Sequence, residues 1–235
     1  MEAAESRLAL WAEALGALAP ADGARLLAAA VRAAVSRRPD AVRVYLPLLR
    51  LGDLAARAGP GRLAGVLEAA RELDLGEALL ILEHPGGPRR PAEPGPPPDP
   101  LLEAVTLGHR KAAARGRRSP LLDRILGDPD PRVIREVLRN PRLREPEVVA
   151  IASRRPCPEG VFLLLAGTEA WIRRPAVQRA VLQNPHAPPR LALGLLVLQP
   201  GPLLSEVAND EGLHPAVREG ALQVLGWRAG SGAQA

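Results

Sequence analysis

Apolar residues recur at helical spacing in the first part of the chain. Leu8, Trp11, Leu15 and Leu18 lie at i, i+3, i+7 and i+10, on one face of a helix that Pro20 would end. Further helical stretches are predicted at 24–37, 41–50, 52–58, 61–73 and 75–83. Because the loops between these stretches are short, we expect neighbouring helices to pack antiparallel.

The second half of the chain carries an internal repeat. Residues 131–141 read PRVIREVLRNP and residues 175–185 read PAVQRAVLQNP, at an offset of 44. Seven of the eleven positions are identical, which is more than a shared bias toward Leu and Ala would produce. A degraded third copy begins at Pro215, 40 residues after the second.

The residues at the two ends of this motif are of types that start and stop helices. Asp130 can accept a hydrogen bond from the first helical turn, and Pro131 suits that turn because its missing N–H would have no partner there. Asp22 is the predicted cap of helix 24–37 for the same reason. Asn140 is expected to end its helix in a left-handed conformation, and Pro141 prevents continuation.

Prolines therefore punctuate short helices instead of breaking long ones. Each period is predicted to hold three of them, at 131–139, 146–154 and 158–167, then at 175–183, 189–198 and 201–208. A period of about 40–47 residues with two or three helices resembles HEAT and armadillo repeats. The Val-Leu-x-Asn-Pro sequence followed by Pro-Glu-Val-Val is also similar to the variant leucine-rich-repeat family.

The resemblance covers residues 119–228 and implies the architecture. We expect an all-α protein in which an α-solenoid of short HEAT-like repeats follows an N-terminal helical segment. Residues 85–100 hold eight prolines and three glycines, so they predict a linker. The predicted parts are an N-terminal helical domain, 1–84, the linker, a helical repeat domain, 101–228, and a disordered tail, 229–235.

Composition supports helix and narrows the chemistry. Apolar residues make up 47% of the chain, yet it has three Trp, one Tyr and one Phe, so the core must be built mostly from Leu, Ala and Val. The single cysteine, Cys157, excludes an internal disulfide and a cysteine-based zinc site within the chain. Neither a signal peptide nor a membrane span is expected, and we predict a cytoplasmic protein.

Positive charge is concentrated in one segment. Residues 101–145 contain 11 basic and 6 acidic residues, so this segment alone carries the excess of the whole chain, +5. Its centre is a basic cluster of five residues without an acid among them: Arg110, Lys111, Arg115, Arg117 and Arg118. Such a cluster suits an acidic protein or, alternatively, the phosphates of duplex nucleic acid. A solvated helix face is the simpler explanation.

Catalytic readings find little support in the sequence. The four histidines are scattered, and no Gly-x-Ser-x-Gly turn or phosphate-binding loop is present. Cys157 lies beside Arg154 and Arg155, which would favour a reactive thiolate, but no base can be assigned to it. Some HEAT-like proteins are DNA glycosylases, and Trp171 with Glu169 is the nearest match to their cleft.

The predicted function is therefore a non-catalytic protein–protein interaction scaffold. We expect no catalytic, cofactor-binding or metal-binding residue, no cofactor and no small-molecule substrate. The expected partner is another protein. The alternative is a helical repeat module that binds a nucleic-acid duplex through the cluster at 110–118.

Overall fold

The computed structural model describes residues 2–83, 99–117 and 119–232. These residues form helices joined by turns, and they contain no strand. The all-α prediction is confirmed. Its physical basis is a core of Leu, Ala and Val side chains, which lose little rotamer freedom in a helix or pack well along one face of it.

The helices before residue 84 follow the predicted stretches to within a few residues. They are α1 (Glu2–Ala17), α2 (Pro20–Val35), α3 (Pro39–Tyr45), α4 (Leu51–Ala58), α5 (Pro60–Glu72) and α6 (Gly76–Leu82), with a 3₁₀ turn at Leu46–Arg50. The cap predicted at Asp22 is wrong, because Pro20 starts α2 and leaves Asp22 inside its first turn.

The helices after residue 98 are mostly short, and prolines open many of them. They are α7 (Pro100–Glu103), α8 (Leu107–Arg115), α9 (Pro120–Ile125), α10 (Pro131–Leu138), α11 (Glu145–Ser153), α12 (Glu159–Ala166), α13 (Glu169–Ile172), α14 (Pro175–Leu182), α15 (Pro189–Leu196), α16 (Gly201–Asn209) and α17 (Pro215–Gly232). Asp130 caps α10 as predicted, accepting a hydrogen bond from the Arg132 amide.

The helices fall into two compact units. One contains α1–α6 together with α15–α17, and the other contains α7–α14. This grouping differs from the predicted one, in which α15–α17 continue the repeat domain 101–228. Most of the predicted linker lies outside the described residues. Asp99, near the end of that linker, caps the start of α7. Helix α17 continues through residues 229–232, where the sequence predicted a tail.

In the first unit, two close contacts join helices from the early part of the chain to helices from its late part. The fully buried Tyr45 hydroxyl donates a hydrogen bond of 2.8 Å to the Gly194 carbonyl of α15. Gly220 of α17 faces α15 and α6 so closely that an added Cβ would lie 2.6 Å from Leu193 Cδ2 and 3.1 Å from Leu80 Cδ1. Helices α15 and α17 therefore complete a core that the first six helices begin.

The repeated asparagines hold the second unit together. The side-chain amide of Asn140, after α10, donates to the carbonyls of Ala114 at 2.8 Å and Gly116 at 3.0 Å, at the end of α8. Asn184, after α14, donates in the same way to Ala152 and Arg154 at the end of α11, both at 2.8 Å. Each asparagine thus satisfies two helix-end carbonyls of the helix packed beside its own.

The left-handed conformation predicted for Asn140 is wrong. Among the described residues, Arg37 and Asp74 are the non-glycine positions with positive φ. Asn140 instead lies buried at 5% exposure, and its side-chain oxygen accepts a hydrogen bond of 2.9 Å from the Arg142 amide. The asparagine acts through its carboxamide, so the motif requires this side chain and not a backbone shape.

The third copy of the motif lacks this device. Val224 occupies the position that Asn140 and Asn184 hold in the first two copies, and it is fully buried. No Asn-Pro pair follows, so α17 runs for 18 residues where α10 and α14 have 8 each. In this copy it is the Arg218 side chain that donates a hydrogen bond to a helix-end carbonyl, that of Ala208 near the end of α16.

Replacement of Asn140 or Asn184 with Ala should destabilise the second unit. Each change removes two buried donors and strands two carbonyls, so we expect a loss of about 2–4 kcal/mol in the free energy of unfolding. Urea unfolding followed by circular dichroism measures it. Asn209→Ala is the matched control, because Asn209 is exposed and bonds only the Ser205 carbonyl of its own helix. Equal losses at all three positions would contradict the assigned role.

Two glycines of α17 should respond to Ala in opposite directions. Gly220→Ala forces a methyl group against buried Leu side chains, and this overpacking should outweigh the gain in helix propensity by about 1 kcal/mol. Gly226→Ala meets no atom within 4 Å and should stabilise the protein by about 0.5–1 kcal/mol. The shift of the thermal midpoint in each variant tests this pair.

Candidate interaction surface

The basic cluster begins on α8, whose start is fixed by local capping. The Thr106 hydroxyl accepts a hydrogen bond of 3.3 Å from the His109 amide, and the helix ends before Gly116.

Helix α8 packs beside α10. On α8, Arg110 faces the turn between α9 and α10, whereas Lys111 and Arg115 lie beside α10. Lys111 and Arg115, with Glu136 and Arg139 at the end of α10, are called the α8–α10 surface below.

Arg110 faces inward and is committed to the fold. Its guanidinium donates to both carboxylate oxygens of Asp128, at 2.7 and 2.9 Å, and the Asp128 side chain is fully buried. Asp128 also accepts a hydrogen bond from the Asp130 amide, which ties the pair to the start of α10. A phosphate or partner carboxylate would have to break this ion pair to reach Arg110.

Arg115 is paired as well, although its side chain remains exposed. Its Nε donates a hydrogen bond of 2.7 Å to Glu136 on α10. This bond, with further attraction from Arg139 and Lys111, holds the pKa of Glu136 below its usual range despite some desolvation. The α8–α10 surface thus carries three cations around one carboxylate, and it keeps a net positive charge.

The sequence prediction named part of this surface and missed part of it. Lys111 and Arg115 lie together on it, and Arg117 is exposed just beyond α8. Arg118 lies outside the described residues. Arg139 was missed because it belongs to the repeat motif, 24 residues beyond Arg115 in sequence. A comparison of the two motif copies could have pointed to it, because Arg139 occupies the position before Asn140 where the second copy has the uncharged Gln183.

Helix α12 exposes one leucine to solvent. Its inner positions, Val161, Phe162 and Leu165, are buried. Leu163 is 53% exposed, and Leu164 beside it is half-buried. The apolar area that α12 leaves accessible is therefore centred on Leu163.

The histidines that the structure describes lie in turns or at the starts of helices. The His109 imidazole contacts Thr106, and His214 Nδ1 accepts a hydrogen bond from the Ala216 amide at the start of α17. His186 is buried, and its amide donates to Asn184. His84 lies outside the described residues.

Burial of Cys157 opposes the reactive thiolate that its arginine neighbours favour. Its side chain is 6% exposed, and burial raises the pKa of the thiol to about 11, against a smaller lowering by Arg154. Trp171 is also buried, and its indole N–H donates a hydrogen bond of 2.9 Å to the Leu138 carbonyl. It fills the core instead of forming an open cleft with Glu169.

Neither a metal-ligand cluster nor a membrane-spanning helix occurs in the part of the chain that the structure describes. In residues 2–83, 99–117 and 119–232, no three His, Cys, Asp or Glu side chains come together in a way that could hold a metal ion. No helix in the same residues has the length and apolar character needed to cross a membrane.

Comparisons with known proteins leave the surface to be interpreted on its own chemistry. No family model, curated protein or solved structure matches the chain.

The arginine paired with a buried carboxylate and the exposed arginine of the cluster should differ in how much their loss destabilises the protein. Arg110→Ala leaves the buried Asp128 carboxylate without its ion-pair partner, so we expect a loss of about 2–4 kcal/mol in unfolding free energy. Arg117→Ala should change it by less than about 0.5 kcal/mol, because the side chain is exposed. Urea denaturation of both variants tests the assignment, and equal effects would refute it.

Alkylation should find Cys157 unreactive in the folded protein. With a pKa of about 11, the thiol holds very little thiolate at pH 8, so iodoacetamide should react about 100-fold more slowly than with the urea-unfolded chain. Mass spectrometry of timed aliquots measures both rates. Similar rates would mean an accessible thiolate and would reopen a catalytic role.

Proposed function

We propose that this chain is a non-catalytic helical-repeat scaffold that binds another protein through the unit of α7–α14. In this proposal its repeats are HEAT-like and stack as in an α-solenoid. The shared capping of α8 by Asn140 and of α11 by Asn184 supports a repeat interpretation, because the same side chain performs the same task twice. A cytoplasmic location is part of the proposal and agrees with the free Cys157.

The exposed Leu163 of α12, in the same unit as the positive α8–α10 surface, is the observation that carries the proposal. Exposed Leu163, with Leu164 beside it, offers apolar area that a protein partner can bury and that phosphates cannot use. The positive α8–α10 surface in the same unit would add charge complementarity to an acidic partner. Cations and apolar side chains together favour a protein over a nucleic acid.

The duplex alternative is disfavoured by the ion pairs. Duplex binding requires cations that can each neutralise a phosphate. Arg110 is held by Asp128, and Arg115 by Glu136, so two of the five predicted contacts are already neutralised within the protein. The remaining exposed cations suit a few partner carboxylates better than a continuous phosphate backbone.

Site-specific photocrosslinking in the cell of origin tests the proposal. Benzoylphenylalanine at position 164 reports on the α12 face, and the same residue at position 222, an exposed Leu of α17, is the matched control. We expect a defined protein adduct from position 164 alone, lost when Leu163→Asp is added. Identical adducts from both positions, or none from position 164, would contradict the proposal.

A duplex titration separates the alternative. Fluorescence anisotropy of a labelled DNA duplex, at low and physiological salt, is compared for the native protein and a Lys111→Ser, Arg117→Ser, Arg139→Ser variant. The scaffold proposal expects weak binding that the variant barely changes. Tight, salt-sensitive binding that the variant loses would favour the nucleic-acid module instead.

A further inference from the structure

We propose that the turn between α10 and α11, with the crevice beside it, binds an acidic segment of a partner protein through one bulky apolar residue of that segment. This inference rests on the proposed function, because it names the chemistry of the partner. The turn comprises residues 139–144, Arg-Asn-Pro-Arg-Leu-Arg, and is called the arginine turn below.

The crevice has an apolar floor. Leu122 and Leu126, at the end of α9, line it with Val137 of α10 and Leu143 of the arginine turn. Its empty volume is about 330 Å³ when the open solvent at its mouth is included. A side chain of a partner can contact this floor from the open mouth.

The polar atoms around the crevice leave one free charge at its edge. The Asn140 carboxamide is committed to the ends of α8 and to the Arg142 amide. Glu147 accepts hydrogen bonds from the backbone and side chain of Arg144. Arg142 lines the crevice, and its side chain is exposed. The site therefore combines an apolar floor with a guanidinium beside it.

The second copy of the motif shows that the fold does not require these arginines. Its turn has the same geometry, since the His186 amide donates to Asn184 at 3.0 Å just as the Arg142 amide donates to Asn140 at 2.9 Å. Yet Gln183 stands where the first copy has Arg139. His186 and Ala187 are buried in the second turn, whereas Arg139 and Arg142 are exposed in the first.

Charge complementarity selects the occupant. Arg139 and Arg142 present two exposed guanidiniums on this turn, Arg144 is paired with Glu147, and the Glu136 carboxylate is engaged with Arg115. A segment that carries Asp or Glu beside a Leu or Phe satisfies both the charges and the apolar floor. A nucleic-acid backbone would meet the charges but would leave the floor unfilled.

Labelled peptides test the site directly. The probes are fluorescein-labelled nine-residue peptides in which Glu-Asp-Ser-Glu flanks a central Leu or a central Ala on each side, and anisotropy reports binding to the whole chain. We expect the Leu peptide to bind at least about fivefold more tightly than the Ala peptide. Arg142→Glu should weaken the Leu peptide at least about tenfold, because it reverses the charge beside the crevice.

Two variants control for charge and for shape. Arg173→Glu changes an exposed arginine elsewhere in the same unit and should alter binding less than about twofold. Leu143→Trp should fill the crevice and abolish the difference between the Leu and Ala peptides. Circular dichroism and thermal unfolding verify the fold of each variant, and the Arg142 side chain is exposed.

Several outcomes would overturn the inference. It fails if neither peptide binds, if the two peptides bind alike, or if Arg142→Glu and Arg173→Glu weaken binding equally. It also fails if a labelled 12-base-pair duplex displaces the Leu peptide and requires Arg142, since the turn would then be a phosphate site. An adduct from position 164 that survives Arg142→Glu, together with any of these failures, would leave the scaffold function standing without this site.

Discussion

Every α-helix leaves carbonyl groups without partners at its C-terminal end, and short helices multiply these ends. In this protein the carboxamides of Asn140 and Asn184 take up two such carbonyls each, from α8 and α11. The asparagine belongs to the neighbouring helix, so one side chain satisfies a helix end and joins two helices at once. A chain with so many short helices needs a device of this kind, because buried helix ends would otherwise leave carbonyl oxygens unpaired in the interior.

Ion pairs within the fold decide which positive charges of the basic cluster stay available at the surface. Acidic side chains lie in the turn before α10 and on α10, and arginines of the cluster on α8 form ion pairs with them. Arg110 is drawn to the buried Asp128 and Arg115 to Glu136. What is left over is positive charge on the α8–α10 surface and on the arginine turn. The proposed function uses only this remainder, together with the exposed Leu163 of α12.

The unit of α1–α6 and α15–α17 is closed by helices that approach one another closely. The Tyr45 hydroxyl needs an acceptor in the apolar core and finds the Gly194 carbonyl, 149 residues later in sequence. Burial raises the pKa of this phenol and keeps it protonated, so that it remains a donor. Gly220 lets α17 approach Leu193 and Leu80. These contacts decide which helices share a core, and none of them has a pattern that is visible along the chain.

Short-range features of the sequence were enough to predict much of the local structure. Hydrophobic spacing and proline placement predicted the helices before residue 84 and most of those after residue 130 to within a few residues, but not α7, α9 or α13. The Asp130 cap follows from its position before Pro131, because capping acts within one helical turn. Tertiary structure decided the rest. It turned Asn140 from a presumed left-handed residue into a side-chain bridge, paired Arg110 with Asp128, and brought Arg139 beside Arg115. It also grouped α15–α17 with the first six helices. Each of these outcomes depends on which helix packs against which, and periodicity identifies a buried face without naming its partner.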